Sequence, residues 1–94
     1  MNGYTHRLPE HVTRLRRIEG QVRGVQRLIE DDTYCIDVLT QVAAAQKALQ
    51  SLANELLDDH LRHCVREAVA NGEAGEIEDK VTEAMAAVRR LTRS

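Results

Sequence analysis

Residues 34–70 read YCIDVLTQVAAAQKALQSLANELLDDHLRHCVREAVA, a run with no glycine and no proline. Leu39, Val42, Leu49, Ala53, Leu56, Leu57, Leu61, Val65 and Val69 recur along it at helical steps, so the run is expected to be one helix with an apolar seam. At 1.5 Å of rise per residue such a helix is roughly 50 Å long. A chain of 94 residues cannot bury a seam of that length by itself. The same helix of a second copy, packed antiparallel, is the expected partner.

Outward from this run, Glu30–Tyr34 interrupts the pattern, and Asp32 or Thr33 is expected to cap the long helix by accepting its first free N–H groups. Upstream, Pro9 suits a first helical turn, and Val12, Leu15, Ile18, Val22, Val25 and Ile29 follow at three- and four-residue steps. Downstream, Asn71-Gly72-Glu73-Ala74-Gly75 predicts a turn, and Ile77, Val81, Met85, Val88 and Leu91 predict a third helix. The reading is all-α, one domain over residues 1–94 with helices at about 9–30, 34–70 and 76–91. No repeat or linker is visible.

Composition agrees with that class. There is no Phe or Trp, two Tyr and one Pro, the usage of helices that pack through aliphatic seams. So small a domain is expected to oligomerise. No stretch is long enough for a membrane span, and the segment MNGYTHRLPEHVTRLRR lacks the apolar core of a secretory signal. A cytoplasmic protein without a membrane partner is expected, and two cysteines in a reducing compartment favour metal ligation or reactivity over a disulfide. The net charge is −2, but it is unevenly spread. Residues 1–29 hold six Arg against two Glu, and residues 30–94 seven basic against thirteen acidic groups. On the first helix Arg16, Arg23 and Arg27 fall within about 40° of one another, opposite the apolar stripe. Gly20 and Gly24 lie beside them, which fits close approach by another molecule or two tolerated surface glycines.

The chemistry resides in Cys35, His60 and Cys64. His60 and Cys64 are four residues apart, so on a helix they point the same way and can share one ion. Cys35 projects onto the same seam but lies 25 residues earlier, about 38 Å along a continuous helix. The three cannot meet within one chain. They can meet between antiparallel copies, giving two equivalent sites per two-fold dimer. Two thiolates and one imidazole favour Cu(I) over Zn(II), which usually takes a fourth ligand. The plainer alternative is two buried cysteines acting as small hydrophobes beside a satisfied interface histidine. His6, His11 and His63 are expected at the surface. Tyr34, next to the first cysteine, is either a hydrogen-bonding neighbour of the site or simple packing.

The segments RLRRIEGQVRGVQRLIEDDTYCIDVLTQVAAAQKAL and DDHLRHC, with Cys-x24-His-x3-Cys spacing, resemble the copper-sensing operon repressor (CsoR) family over residues 7–91. The resemblance implies a three-helix protomer, an antiparallel four-helix-bundle dimer and a dimer of dimers. It also implies a repressor that releases operator DNA when Cu(I) binds Cys35 of one protomer with His60 and Cys64 of the other. An acidic neighbour of the site early in helix three is implied as well, Glu78 or Asp79. Arg14, Arg16, Arg17, Arg23 and Arg27, extended by Lys47, are then expected to contact DNA phosphates.

Related classes differ at particular residues. Nickel- or cobalt-sensing relatives carry histidine at the position of Cys64 and use an N-terminal histidine, for which His6 is the one candidate. Persulfide-sensing relatives lack His60, and formaldehyde-sensing ones lack the second thiolate. A copper carrier could use the same three ligands but has no need of an arginine stripe. An enzyme is not expected, because no glycine-rich oxyanion loop accompanies Cys64 and His60.

Overall fold

The computed structural model describes residues 3–71 and 74–92, with the side chain of residue 74 excepted, and every regular element among them is helical. A single 3₁₀ turn, Thr5–Arg7, leads into α1, Leu8–Glu30, followed by α2, Cys35–Asn71, and α3, Ala74–Thr92. The turn expected at 71–75 falls partly on residues 72–73, outside the described residues.

Pro9 occupies the first turn of α1 as its fixed φ favours. The end of α1 overturns one expectation. Asp32 does not cap α2; it has φ of 55° and closes α1. Its N–H meets the Ile29 carbonyl at 3.1 Å, and the Thr33 N–H meets the Leu28 carbonyl at 2.9 Å. This is a Schellman termination with aspartate where glycine is usual. The α2 helix starts instead from Tyr34, whose carbonyl accepts the Asp37 and Val38 N–H groups at 3.0 and 3.2 Å. A left-handed Asp is strained relative to Gly. Asp32→Gly is therefore expected to stabilise the fold by about 0.5–1 kcal/mol, read as a higher urea midpoint at fixed protein concentration.

The chain divides into two compact units. The first spans Arg7–Ala53, and the second combines the N-terminal stretch up to His6 with the chain from Asn54 onward. In the first unit the short turn after α1 folds the start of α2 back along it, and a groove of about 250 Å³ is lined by Arg14, Arg17, Ile18 and Gln21 of α1 with Ala48 and Ser51 of α2. Ile18, Val38, Ala45 and Leu52 are buried here. Val38, Ala45 and Leu52 stand at seven-residue steps, so they form one face of α2.

The expected seam of α2 runs beside this face and meets it at Leu49, four residues after Ala45 and three before Leu52. Leu39 and Leu49 remain 55 % and 46 % exposed, and Val12, Leu15, Val22 and Ile29 of α1 are exposed too. The first unit thus buries one edge of the apolar surface of α2 and leaves the rest open. His11 is a correction: it is buried rather than at the surface, because it lies two helical turns before Ile18 on the inward face of α1.

In the second unit Cys64 and Ala68 of α2 and Ala84 of α3 are buried, together with Asp59. Glu76 in the first turn of α3 and Arg89 and Arg90 in its last turn complement the helix dipole. Among the described residues no helix is long and apolar enough to cross a membrane.

Candidate metal centre and arginine surface

An i, i+4 relation on α2 sets the core of the site. The Cys64 Sγ lies 3.6 Å from His60 Nε2, with Cys64 buried and His60 half-buried. A sulfur and a nitrogen held by one d¹⁰ ion at ~2.3 and ~2.0 Å stand about 3.6 Å apart at ordinary bond angles. The separation is compatible with a shared soft ion, and equally with a direct contact between the thiol and the imidazole nitrogen.

Cys35 belongs to the other compact unit and is exposed. It is the first residue of α2, about seven turns before His60, and it shares the open face with Leu39 at i+4. Among the described residues no group of three or more His, Cys, Asp or Glu able to hold a metal forms within one chain. One chain brings together His60 and Cys64 and leaves Cys35 apart.

Burial pushes the Cys64 thiol above its ordinary pKa. Lys80 pulls the other way, and the charges of Glu67, Glu83 and Glu76 add to the rise. Three of these four charged groups sit on α3, and sequence reasoning missed them. The signal was available: Glu76, Lys80 and Glu83 follow one another at four- and three-residue steps and so share a face. Glu78 and Asp79, the residues expected near the site, are exposed. Tyr34 is 70 % exposed. His6 is exposed and His63 half-buried; the Nε2 of His63 lies 3.1 Å from Glu67.

The arginines separate into two sets. Arg14 and Arg17 line the groove between α1 and α2, and a second depression with Pro9, Glu10 and Thr13. Arg16, Arg23 and Arg27 are exposed on the other side of α1, where Arg23 pairs with Glu19. Lys47 is exposed on α2. A Cβ added at Gly20 or Gly24 would meet nothing within 4 Å, so no part of the described chain makes the close approach these glycines permit.

Residues 8–90 match the family model of the metal-sensitive transcriptional repressors. The chain belongs to that family. The copper-sensing transcriptional repressor RicR of Mycobacterium tuberculosis is 56 % identical to this repressor over 93 residues, covering 99 % of this chain and 96 % of the relative. Among solved structures, the copper-sensing repressor CsoR with Cu(I) from Geobacillus thermodenitrificans superposes with a TM-score of 0.81 at 39 % identity, covering 95 % and 90 % of the two chains. The nickel-responsive transcriptional regulator InrS superposes at 0.77 with 40 % identity, covering 89 % and 91 %.

Proposed function

We propose that this repressor senses Cu(I): metal-free, it binds operator DNA, and it lets go when Cys35 of one protomer and His60 with Cys64 of its partner bind a Cu(I) ion together. One observation carries the reading. A part-buried His60–Cys64 pair is already spaced for one soft ion, and its third donor, Cys35, stands on an exposed face that a second chain can cover. Two thiolates and an imidazole select a soft monovalent ion, and the relatives named as copper sensors are consistent with that choice.

The partner is a second copy. The exposed apolar side chains of α1 and α2 are too many for a solvated surface, and antiparallel pairing of α2 covers them while placing Cys35 near the partner's ligand pair. The whole chain then acts as one helical sensing and DNA-binding domain, assembled as a four-helix-bundle dimer and, on DNA, as a dimer of dimers in the cytoplasm. Arg14, Arg16, Arg17, Arg23, Arg27 and Lys47 contact phosphates, which positions the assembly and makes affinity fall with salt. Drawing Cys35 toward the partner's His60 and Cys64 biases the helices to an arrangement whose arginine surfaces no longer match the duplex. The coupling is reciprocal: DNA weakens Cu(I) binding by the factor by which Cu(I) weakens DNA binding. No catalytic turnover is part of this role.

The test is a gel shift with the chain's own upstream region, titrated in parallel with Cu(I), Ni(II) and Zn(II) under reducing conditions. Release by Cu(I) alone is expected. Release by Ni(II) alone would replace the copper reading with a nickel one, and absence of any DNA binding would leave a copper carrier.

The raised Cys64 pKa predicts a pH dependence. Near neutral pH this thiol is protonated, and sulfur binds the ion as thiolate, so binding releases the proton. Apparent Cu(I) affinity is expected to climb with pH, by about tenfold per unit from Cys64 alone until its pKa is passed. Chelator competition across the neutral range measures this, and a flat profile would remove Cys64 from the ligand set.

A further inference from the structure

Gly3 and His6 lie against the turn of α2 that carries His60. Gly3 is buried, and a Cβ built on it would stand 2.7 Å from the Asp59 carbonyl oxygen, 2.8 Å from His60 Cα and 2.9 Å from His63 Cβ. Two of these atoms are helix backbone and the third is a Cβ, so none can swing aside as the tip of a long side chain could. Glycine is required there by close approach. Asp59, immediately before His60, is 3 % exposed. Gly3 and His6 enclose a cavity of about 40 Å³ together with Asp59, Arg62, His63 and Arg66 of α2. All of these residues belong to the same compact unit as the His60–Cys64 pair.

We propose that residues 3–6 form a strap that positions the copper-binding turn, with Gly3 the positioning residue that lets the strap seat on the backbone of Asp59 and His60. The inference rests on His60 being a Cu(I) ligand, as proposed above, and it assigns no ligand role to the strap. The backbone of His60 is touched by Gly3 while its Nε2 faces Cys64, so the strap restrains the turn from which the imidazole projects. Preorganised ligands lose less conformational freedom when the ion binds. Unseating the strap therefore weakens metal binding although every donor remains.

Gly3→Ala is the test, with Gly20→Ala as a control for loss of a glycine, since a Cβ at Gly20 meets open space. A chain shortened to begin at Arg7 removes the strap without introducing a clash. Amide hydrogen exchange on the metal-free oligomer is expected to rise several-fold at residues 59–64 in Gly3→Ala and in the shortened chain, and to stay unchanged there in Gly20→Ala. Chelator competition is expected to show Cu(I) affinity about tenfold weaker in the same two variants. Exchange unchanged at 59–64 overturns the strap. Raised exchange with undiminished Cu(I) affinity overturns its positioning role and leaves the copper reading intact. A wild-type chain that binds no Cu(I) overturns the copper reading instead, and with it the strap's role toward metal, while exchange still decides whether the strap restrains the turn.

Discussion

His60→Ala is expected to bind operator DNA with the affinity of the unchanged chain and to remain bound when Cu(I) is added. The substitution removes a half-buried side chain whose nitrogen faces the Cys64 sulfur, and it leaves the arginines of α1 untouched. Alanine keeps the helix, being its best former, so the apo assembly survives. Losing one of three donors is expected to lower Cu(I) affinity by at least about 100-fold, the upper range seen for loss of mere supporting contacts. The larger effect is on regulation. The two cysteines of this variant can still hold Cu(I) when it is in excess, but residue 60 is no longer drawn to the ion, and the coupling between sites, typically worth a factor of about 5–150, is expected to collapse toward one. Fluorescence anisotropy of labelled operator, followed through a Cu(I) titration, separates the two outcomes. Release that persists at wild-type copper concentrations would show that the histidine is not part of the switch.

How much of this could be read without coordinates differs from element to element. The break-free run of α2 and the apolar repeats beside it specify three helices, because a 3.6-residue period over such lengths admits no other local structure. The i, i+4 relation of His60 and Cys64 is likewise local, and the structure holds the pair as the spacing implies. Features that depend on which face turns inward were less accessible. In the first unit Val38, Ala45 and Leu52 are buried while Leu39 and Leu49 stay exposed, since the apolar surface of α2 is wider than one helix covers and periodicity alone does not say where on it α1 lies. His11 was misplaced for the same reason. Residue type offers Asp32 or Thr33 as a cap, because both commonly serve there; the left-handed φ of Asp32 is a backbone fact that side-chain chemistry does not announce. The close seat of Gly3 against Asp59 and His60 joins residues far apart in the chain and leaves no periodic trace. The charges around Cys64 lie between these extremes. The helical spacing of Glu76, Lys80 and Glu83 on α3 was visible, but without the packing of α3 nothing placed their charges near Cys64.

The proposal that the site is shared between subunits makes the sharpest prediction of all. A Cys35→Ala chain keeps His60 and Cys64, and a Cys64→Ala chain keeps Cys35. Each homodimer is expected to lack a complete site and to fail to release DNA with Cu(I). If the ligands come from both protomers, a mixed dimer regains one intact site, built from Cys35 of the Cys64→Ala chain and the ligand pair of the Cys35→Ala chain, while its second site loses both cysteines. Two-fold symmetry guarantees that the two sites are equivalent before substitution. Random assembly of equal amounts makes about half of the dimers mixed, so about a quarter of the wild-type number of three-ligand sites should return. If all three ligands came from one chain, mixing would restore none. Co-unfolding and refolding the two variants exchanges their subunits, and Cu(I) bound in the presence of a competing chelator counts the sites. The exposed Cys35 and the buried Cys64 also differ in how quickly a thiol reagent reaches them, so protection of Cys35 in the metal-free oligomer reports independently whether a second chain covers that face. Recovery near a quarter together with such protection means that copper is read across the dimer interface, where a change in one ion's occupancy can alter the spacing of two arginine-bearing helices at once.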